Sequence, residues 1–271
     1  DTQVNAEDPD VPFSQRQLVE CLRTGANEFG WSKRQATPAS VRDGDWLIGM
    51  GVAAAIRGAP VQKSAARVKL ETNGRITVET DMTDIGTGSY TIIAQTAAEM
   101  MGVPLSRVDV RLGDSDFPVS AGSGGQWGAN SSTAGVYAAC VKLRNQIAEA
   151  LNISTEGARF EDGTITDGSS RFPLTDAVQQ SSMVAEDFME YGDLDKKFSL
   201  QTFGGHFVEV GVHALTGETR IRRMLAVCAA GRILNPKSAR SQVIGGMTMA
   251  AGAALMEDLH VDKKRGFFVN H

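Results

Sequence analysis

RVKLETNGRITVETDMTDIGTGSYTIIAQTAAEMMGVP, residues 67–104, is the stretch from which the architecture is read. Val68 and Leu70 alternate with charged residues, Asn73-Gly74 supplies the positive φ of a tight turn, and Ile76 and Val78 alternate on the return. That pattern predicts a β-hairpin. The hairpin empties into Asp84-Ile85-Gly86-Thr87-Gly88, after which Ile92, Ile93, Ala97, Met100 and Met101 recur at helical spacing until Gly102 and Pro104 stop the run. Val108, Val110 and Leu112 then alternate as a further strand.

Toward the N-terminus, Ser14-Gln15-Arg16-Gln17 has capping-box spacing ahead of a short helix carrying Leu18 and Leu22 and stopping at Gly25. Trp46 to Ile56 is apolar and rich in small residues, a buried strand ending at Arg57-Gly58. Toward the C-terminus come a glycine-rich loop, Ala121 to Gly128, a helix around Ala134 to Leu151, and a variable stretch from Asn152 to Leu200. Phe207 to His213 and Thr219 to Cys228 then form strands about a Thr216-Gly217 turn. The loop Gly231 to Pro236 follows, and a small-residue helix from about Ser238 to Glu257. Hairpin, glycine loop and helix thus occur twice, about 145 residues apart, a weak internal repeat that suggests two related halves. Strands and helices that do not alternate singly favour an α+β fold with mixed α/β layers over a doubly wound parallel sheet. The segments expected are 1–66 (helix, linker and entry strand), 67–200 (a first half with glycine loops) and 201–271 (a second half).

A chain of 271 residues with 42% hydrophobic content can bury a substantial core. The net charge of −5 with scattered basic residues gives no electrostatic reason for a nucleic-acid partner. No run approaches the roughly eighteen apolar residues of a membrane span, and Asp1-Thr2-Gln3 opens no targeting signal. Both ends read as internal to a longer polypeptide, the C-terminal one because Val269-Asn270-His271 follows an apolar Phe267-Phe268. Cys21, Cys140 and Cys228 are widely spaced and odd in number, so they read as buried small hydrophobes rather than a disulfide framework or a metal site. No GxSxG, GxxxxGK[ST] or HExxH occurs. His206 and His213 lie at odd separation on one strand and should point to opposite faces, while Asp114 and Asp116 read as a solvated turn before Pro118.

The chemistry therefore falls to the loops. A glycine loop opening onto a helix offers unpaired backbone N–H groups and the positive end of the helix dipole, which favour an anion. In Gly122-Ser123-Gly124-Gly125-Gln126-Trp127-Gly128, four glycines in seven residues cost backbone entropy and mark close approach of main chain to a ligand.

The segment Glu79 to Gly88, followed by Thr91, Gln95, Ala98-Glu99 and Gly102-Val103-Pro104, resembles the E-x-GQG-xxT-xxxQ-xAAE-xLGVP stretch of the xanthine-oxidase family of molybdenum subunits. The likeness runs on through Gly135 to Cys140, Val208-Glu209-Val210, Thr216-Gly217, Gly231 to Pro236, Gln242 and Gly245-Gly246, about half the chain in the right order. It is greatest to the molybdenum-binding subunit of bacterial three-subunit periplasmic aldehyde oxidoreductases, which use a molybdopterin cytosine dinucleotide. The resemblance implies that Ile85, Gly86 and Thr87 lie against the cofactor, with Thr87 standing where the family has Gln. It also implies that Gly125, Gln126, Gly128 and Ala129 approach the molybdenum-pterin region or its phosphates, although the family's usual serines are absent there. Arg232, Ile233, Leu234, Asn235, Pro236, Lys237 and Ser238 would cradle the dinucleotide, with Arg232 and Lys237 as phosphate partners, and Gln242 would lie near the metal. None of these is a direct metal ligand. Arg57 ends a strand where a substrate could meet a guanidinium or where a surface ion pair could form.

The family's general base is a Glu in a Gly-x-Gly-Glu turn, which is absent here and expected beyond His271; on its own the chain would be inactive. The resemblance implies oxidation of aldehydes, aromatic ones among them, to carboxylic acids by hydroxylation. Electrons would leave through iron–sulfur (2Fe-2S or 4Fe-4S) and FAD groups on partner subunits. It implies a periplasmic location, reached with a signal-bearing partner, with the cytoplasm as the alternative. Two other readings compete: a non-catalytic nucleotide- or cofactor-binding module, and a purine or N-heterocycle hydroxylase of the same family.

Overall fold

The computed structural model describes residues 5, 7–168 and 170–269; Asp1-Thr2-Gln3 and Asn270-His271 lie outside the described residues. In chain order the elements are α1 (Leu18–Phe29), β1 (Arg42–Asp43), β2 (Trp46–Gly58), β3 (Ser64–Leu70), β4 (Ile76–Thr80), α2 (Ser89–Met101) and β5 (Val108–Leu112). There follow α3 (Gly128–Ala150), β6 (Arg159–Glu161), β7 (Thr164–Thr166), β8 (Arg171–Pro173), β9 (Met183–Met189) and α4 (Leu194–Lys197). The last are β10 (Gln201–His213), β11 (Thr219–Ala229), α5 (Pro236–Leu255), β12 (Val261–Asp262) and β13 (Phe267–Phe268). Helices and sheets are mixed without single alternation, which is the α+β class read from the sequence. The chain divides into two compact units, one of residues 1–7, 13–57 and 201–271, the other of residues 8–12 and 58–200.

The second unit is built on the sheet β5-β4-β3-β9. β3 and β4 pair antiparallel as the expected hairpin, and its turn closes through the Gly74 N–H donated to the Glu71 carbonyl at 2.8 Å, with Gly74 at φ +78°. β4 and β5 are parallel, joined by α2 as the crossover. On β3 burial alternates, so Ala66, Val68 and Leu70 face the core while Arg67 and Lys69 face away. They pack with Ile76, Val78, Ile93, Ala97 and Met101, and with Val136, Ala139, Leu143 and Ile147 of α3. Each fully buried Val, Leu, Ile or Met among them contributes about 1.5–3 kcal/mol. Cys140 lies in the same layer, where burial pushes its thiol up to about 12 and leaves it an inert small hydrophobe.

α3 lies so close to β3 that a Cβ added at Gly135 would stand 2.6 Å from the Ser64 carbonyl oxygen. Gly135→Ala should therefore lower stability by about 2 kcal/mol, the usual range for overpacking a tight contact. A urea midpoint equal to that of the parent chain would show that the helix can retreat at no cost. The helix itself begins at Gly128, six residues before the expected Ala134. In that early turn the Ser132 and Thr133 hydroxyls satisfy themselves by donating to the carbonyls of Gly128 and Ala129, four residues back, at 2.6 and 2.7 Å.

The variable stretch holds a small sheet, β6-β7-β8, beside the end of α2. Gly102 closes that helix in the left-handed conformation, φ +62°, and its carbonyl accepts from the Gly163 N–H at 2.7 Å. On the polar face of the main sheet, Glu79 is 3% exposed and is held by Arg67, Lys69 and Arg111. Asp114 forms the solvated turn expected of it, its carboxylate accepting from the Asp116 N–H.

The first unit carries the sheet β1-β2-β10-β11, with α1 packed on β10 and β11. The Thr216-Gly217 turn joins β10 and β11 as expected, and Gly217 has φ +74°. Three expectations are corrected here. α1 does not stop at Gly25: that glycine lies inside the helix because a Cβ there would collide with the Phe207 ring, and Gly30 at φ +73° ends it instead. The capping box is not realised, since Gln17 stands at the N-cap without a side-chain hydrogen bond. β2 is not buried, for Val52 to Arg57 are exposed among the described residues. A bulge opposite Glu209 and Val210 leaves Arg222 unpaired on β11, while β10 runs through it residue by residue with no insertion between His206 and His213.

α5 starts two residues before the expected Ser238, with Pro236 in its first turn, and none of its residues is buried. Cys21 is buried, but Cys228 is exposed, contrary to its reading as a core residue. Among the described residues no helix is long and apolar enough to cross a membrane, and no cluster of three or more His, Cys, Asp or Glu side chains could hold a metal ion.

Candidate functional site

The loop entering α2 is organised by a residue that was not singled out in the sequence. The Asp84 carboxylate accepts four backbone N–H bonds: from Gly86, Thr87 and Gly88 at Oδ1 (2.8, 3.1 and 3.3 Å) and from Tyr90 at Oδ2 (3.2 Å). Burial alone would raise its pKa, but the amides of Tyr90, Gly86, Gly88 and Thr87 outweigh that and hold it below the usual carboxylate range. The expectation of unpaired amides in this loop is thereby corrected, because the chain supplies its own anion. The readable signal was an Asp two residues ahead of a glycine loop, the offset at which Asx side chains bond nearby main chain. Ile85 points the other way and is 67% exposed, while the Thr87 hydroxyl lies 3.4 Å from that of Ser89.

The second glycine loop is tied directly to the first. The Ser120 N–H donates to Asp81 at 2.6 Å, the Ser123 hydroxyl donates to the Thr83 carbonyl, and the Ala121 N–H donates to the Ser64 hydroxyl at 3.0 Å. Within the loop, the Trp127 indole N–H donates to the Ala121 carbonyl at 2.8 Å, and its ring occupies the space a Cβ at Gly125 would need. Gln126 holds a left-handed backbone, φ +70°, at a cost of order 1–3 kcal/mol for a non-glycine residue. Its side-chain amide donates to the Gly58 carbonyl at 2.9 Å, and Asn130 and Ser131 bond Pro60 and Gln62 in the same segment. Gly128 is buried and Ala129 exposed in the first turn of α3, which has no side-chain cap. Residues 85–87 and 125–129, expected to share a site, are thus brought together within one unit.

The third expected segment belongs to the other unit. Asn235 is the N-cap of α5, accepting from the Ser238 N–H at 3.0 Å, while Arg232, Ile233, Leu234, Pro236 and Lys237 are exposed around it. Gln242, one turn further on, lines a cleft of about 610 Å³ between α5 and the sheet, with Gly51, Val52, His206, Val208, Met224 and Cys228 among its walls. Desolvation in that cleft raises the pKa of the Cys228 thiol. Arg57, at the end of β2, is exposed, and its carbonyl accepts from the Thr202 hydroxyl at 3.2 Å.

A phosphate-bearing cofactor needs unblocked main chain and free helix amides. Gly86 and Gly122 have positive φ with open space where a Cβ would stand, but the uncapped amides are those at the start of α3, since Asp84 has taken those ahead of α2.

Comparison with known proteins gives one family. Residues 24–271 match the sequence profile of the molybdopterin cofactor-binding domain. The chain is 65% identical over all 271 residues to the aldehyde oxidoreductase molybdenum-binding subunit PaoC of Escherichia coli K12, of which it spans 37%. It is 30% identical to the putative xanthine dehydrogenase molybdenum-binding subunit XdhA of the same organism, matching 93% of this chain and 36% of that one. Among solved structures, quinoline 2-oxidoreductase from Pseudomonas putida 86 shares the fold at TM-score 0.76 and 23% identity, over 93% of this chain and 35% of the other. The aldehyde oxidoreductase of Desulfovibrio desulfuricans does so at TM-score 0.67 and 20% identity, over 91% and 27%. The chain thus spans little more than a third of the curated relatives it matches.

Proposed function

Since the chain belongs to the molybdopterin cofactor-binding domain family, we propose that it forms part of the cofactor-holding wall of an aldehyde oxidoreductase. The observation that carries this reading is the pair of glycine loops locked together by Asp81, Thr83, Ser120 and Ser123, which gives a fixed main-chain surface beside the uncapped start of α3. Such a surface suits a ligand that must be oriented, because donors held in place before binding lose little freedom when it binds. The dinucleotide is the cytosine form. When bound, the molybdenum group supplies the redox chemistry that turns an aldehyde into its acid.

This chain's own residues orient and screen. Gly86 keeps its loop clear of a side chain, Gly128 leaves room for Met82 and the Gly122 carbonyl, Gln126 fixes the loop by gripping Gly58, and the amides of Gly128 and Ala129 meet phosphate oxygens. Arg232 and Lys237 supply positive charge toward the dinucleotide, and Gln242 an amide near the metal. Partner subunits carry the iron–sulfur and FAD groups, and the assembly works in the periplasm.

The test is the purified full-length complex. It should contain molybdenum, release CMP on acid hydrolysis, and reduce a dye with benzaldehyde at least about tenfold faster than with xanthine. Absence of molybdenum together with failure on every aldehyde would overturn the reading. A preference for xanthine would move it to the purine hydroxylases, the class to which the name of the 30% identical relative belongs.

A further inference from the structure

Glycine loops at helix starts ordinarily receive an anion from outside, because their inward-turned amides and the helix dipole both attract negative charge. The loop before α2 has that geometry, with Gly86 at φ +97° and Gly88 at φ +86°, yet its amides converge on a carboxylate of the same chain. We propose that Asp84 is a positioning residue that sets this loop before any ligand arrives and closes it to phosphate, so that residues 85–88 meet only an uncharged part of the cofactor; the inference rests on the cofactor reading above.

A comparison of three helix starts within the chain carries it. The start of α5 is closed by a neutral residue, Asn235, whose side chain accepts the Ser238 N–H. The start of α3 has no side-chain cap at all. The start of α2 alone among these three holds a full carboxylate with four amide donors, and an added phosphate there would meet both filled donors and a fixed negative charge. With Asp84 turned inward, its neighbour Ile85 is turned outward, so the exposed tip of the loop is apolar.

Amide hydrogen exchange of the peptide spanning residues 85–93, measured in the full-length complex, tests this without reference to activity. Asp84→Ala should exchange about tenfold faster than the parent there, because the loop loses its charge-assisted bonds. Added formate should restore protection, chloride should not, and inorganic phosphate should slow exchange in Asp84→Ala but not in the parent. Asp84→Asn keeps an oxygen for Gly86, Thr87 and Gly88 and should lose protection chiefly at Tyr90. Parent-like exchange in both variants, no response to formate, or equal phosphate protection in parent and variant would each overturn the proposal. Should the alanine variant fail to assemble, the asparagine variant decides: unchanged exchange at Tyr90 rejects the role. Molybdenum and CMP content of the parent complex reports separately on the cofactor reading.

Discussion

Gly102→Ala is expected to destabilise the second unit by about 3–5 kcal/mol, read as a large fall in urea midpoint. Two independent costs add. A side chain at φ +62° costs about 1–2 kcal/mol by itself, because the left-handed region brings Cβ against its own carbonyl. The second cost is contact: the added Cβ would collide with the Phe160 carbonyl group and stand 2.5 Å from the Glu161 nitrogen, both of them backbone. Backbone in β6 cannot swing aside as a side chain would, and β6 is itself held in register by β7. The Gly163 N–H bond to the Gly102 carbonyl, 2.7 Å, would be lost with any retreat. Gly86→Ala isolates the first cost, since Gly86 also has positive φ, +97°, but nothing within 4 Å of the added atom. It should cost only about 1–2 kcal/mol. Equal losses for the two variants would mean that β6 yields freely and that the clash contributes nothing.

That contrast also marks what the sequence could and could not tell. Gly102 was legible as a helix stop because the stop is local: a helical run, then glycine, then proline. Its second task, leaving room for Phe160, depends on a contact across some sixty residues that no periodicity encodes. The same divide runs through the molecule. Hairpin 68–78 and the turn at Thr216-Gly217 are short-range and were readable. The partner of β2, strand β10, lies about 150 residues away, and the apolar run Trp46 to Ile56 by itself says only that a strand is there, not how much of it is covered. Gly25 misled because glycine ends helices more often than it sits inside them under an aromatic ring. The family motifs singled out Ile85 to Thr87 and Gly125, Gln126, Gly128 and Ala129; Asp81, Ser120 and Ser123 were missed because a serine or aspartate bonding a distant loop carries no pattern of its own, whereas Asp84 bonds its own loop at a readable offset.

Glu79→Ala should cost about 2–3 kcal/mol at neutral pH, and the effect should fade in acid. Glu79 is 3% exposed and accepts from Lys69 at 2.9 Å, Arg67 at 3.1 Å and Arg111 at 3.4 Å. Removing one member of a buried ion pair typically costs about 3–5 kcal/mol, because the other charge stays desolvated and unpaired. Here the cations reach water, at 29%, 26% and 62% side-chain exposure, and Arg67 keeps Glu186 at 2.9 Å, so the lower figure applies. Burial on its own would raise the pKa of Glu79; hydrogen bonds and charge from Lys69 and Arg67 more than reverse it, and the folded value lies below the ordinary one. A depressed carboxylate contributes stability that is fully present above the unfolded pKa of about 4.3 and is lost as pH falls through the folded value. The parent should therefore lose stability below about pH 4–5 more steeply than Glu79→Gln, which has nothing to protonate at that position. Urea midpoints of parent, Glu79→Gln and Glu79→Ala at pH 7 and pH 3.5 measure this, with the gap between parent and variants narrowing at the lower pH. A gap of the same size at both would show that Glu79 acts through packing alone and that its charge does not hold the sheet face together.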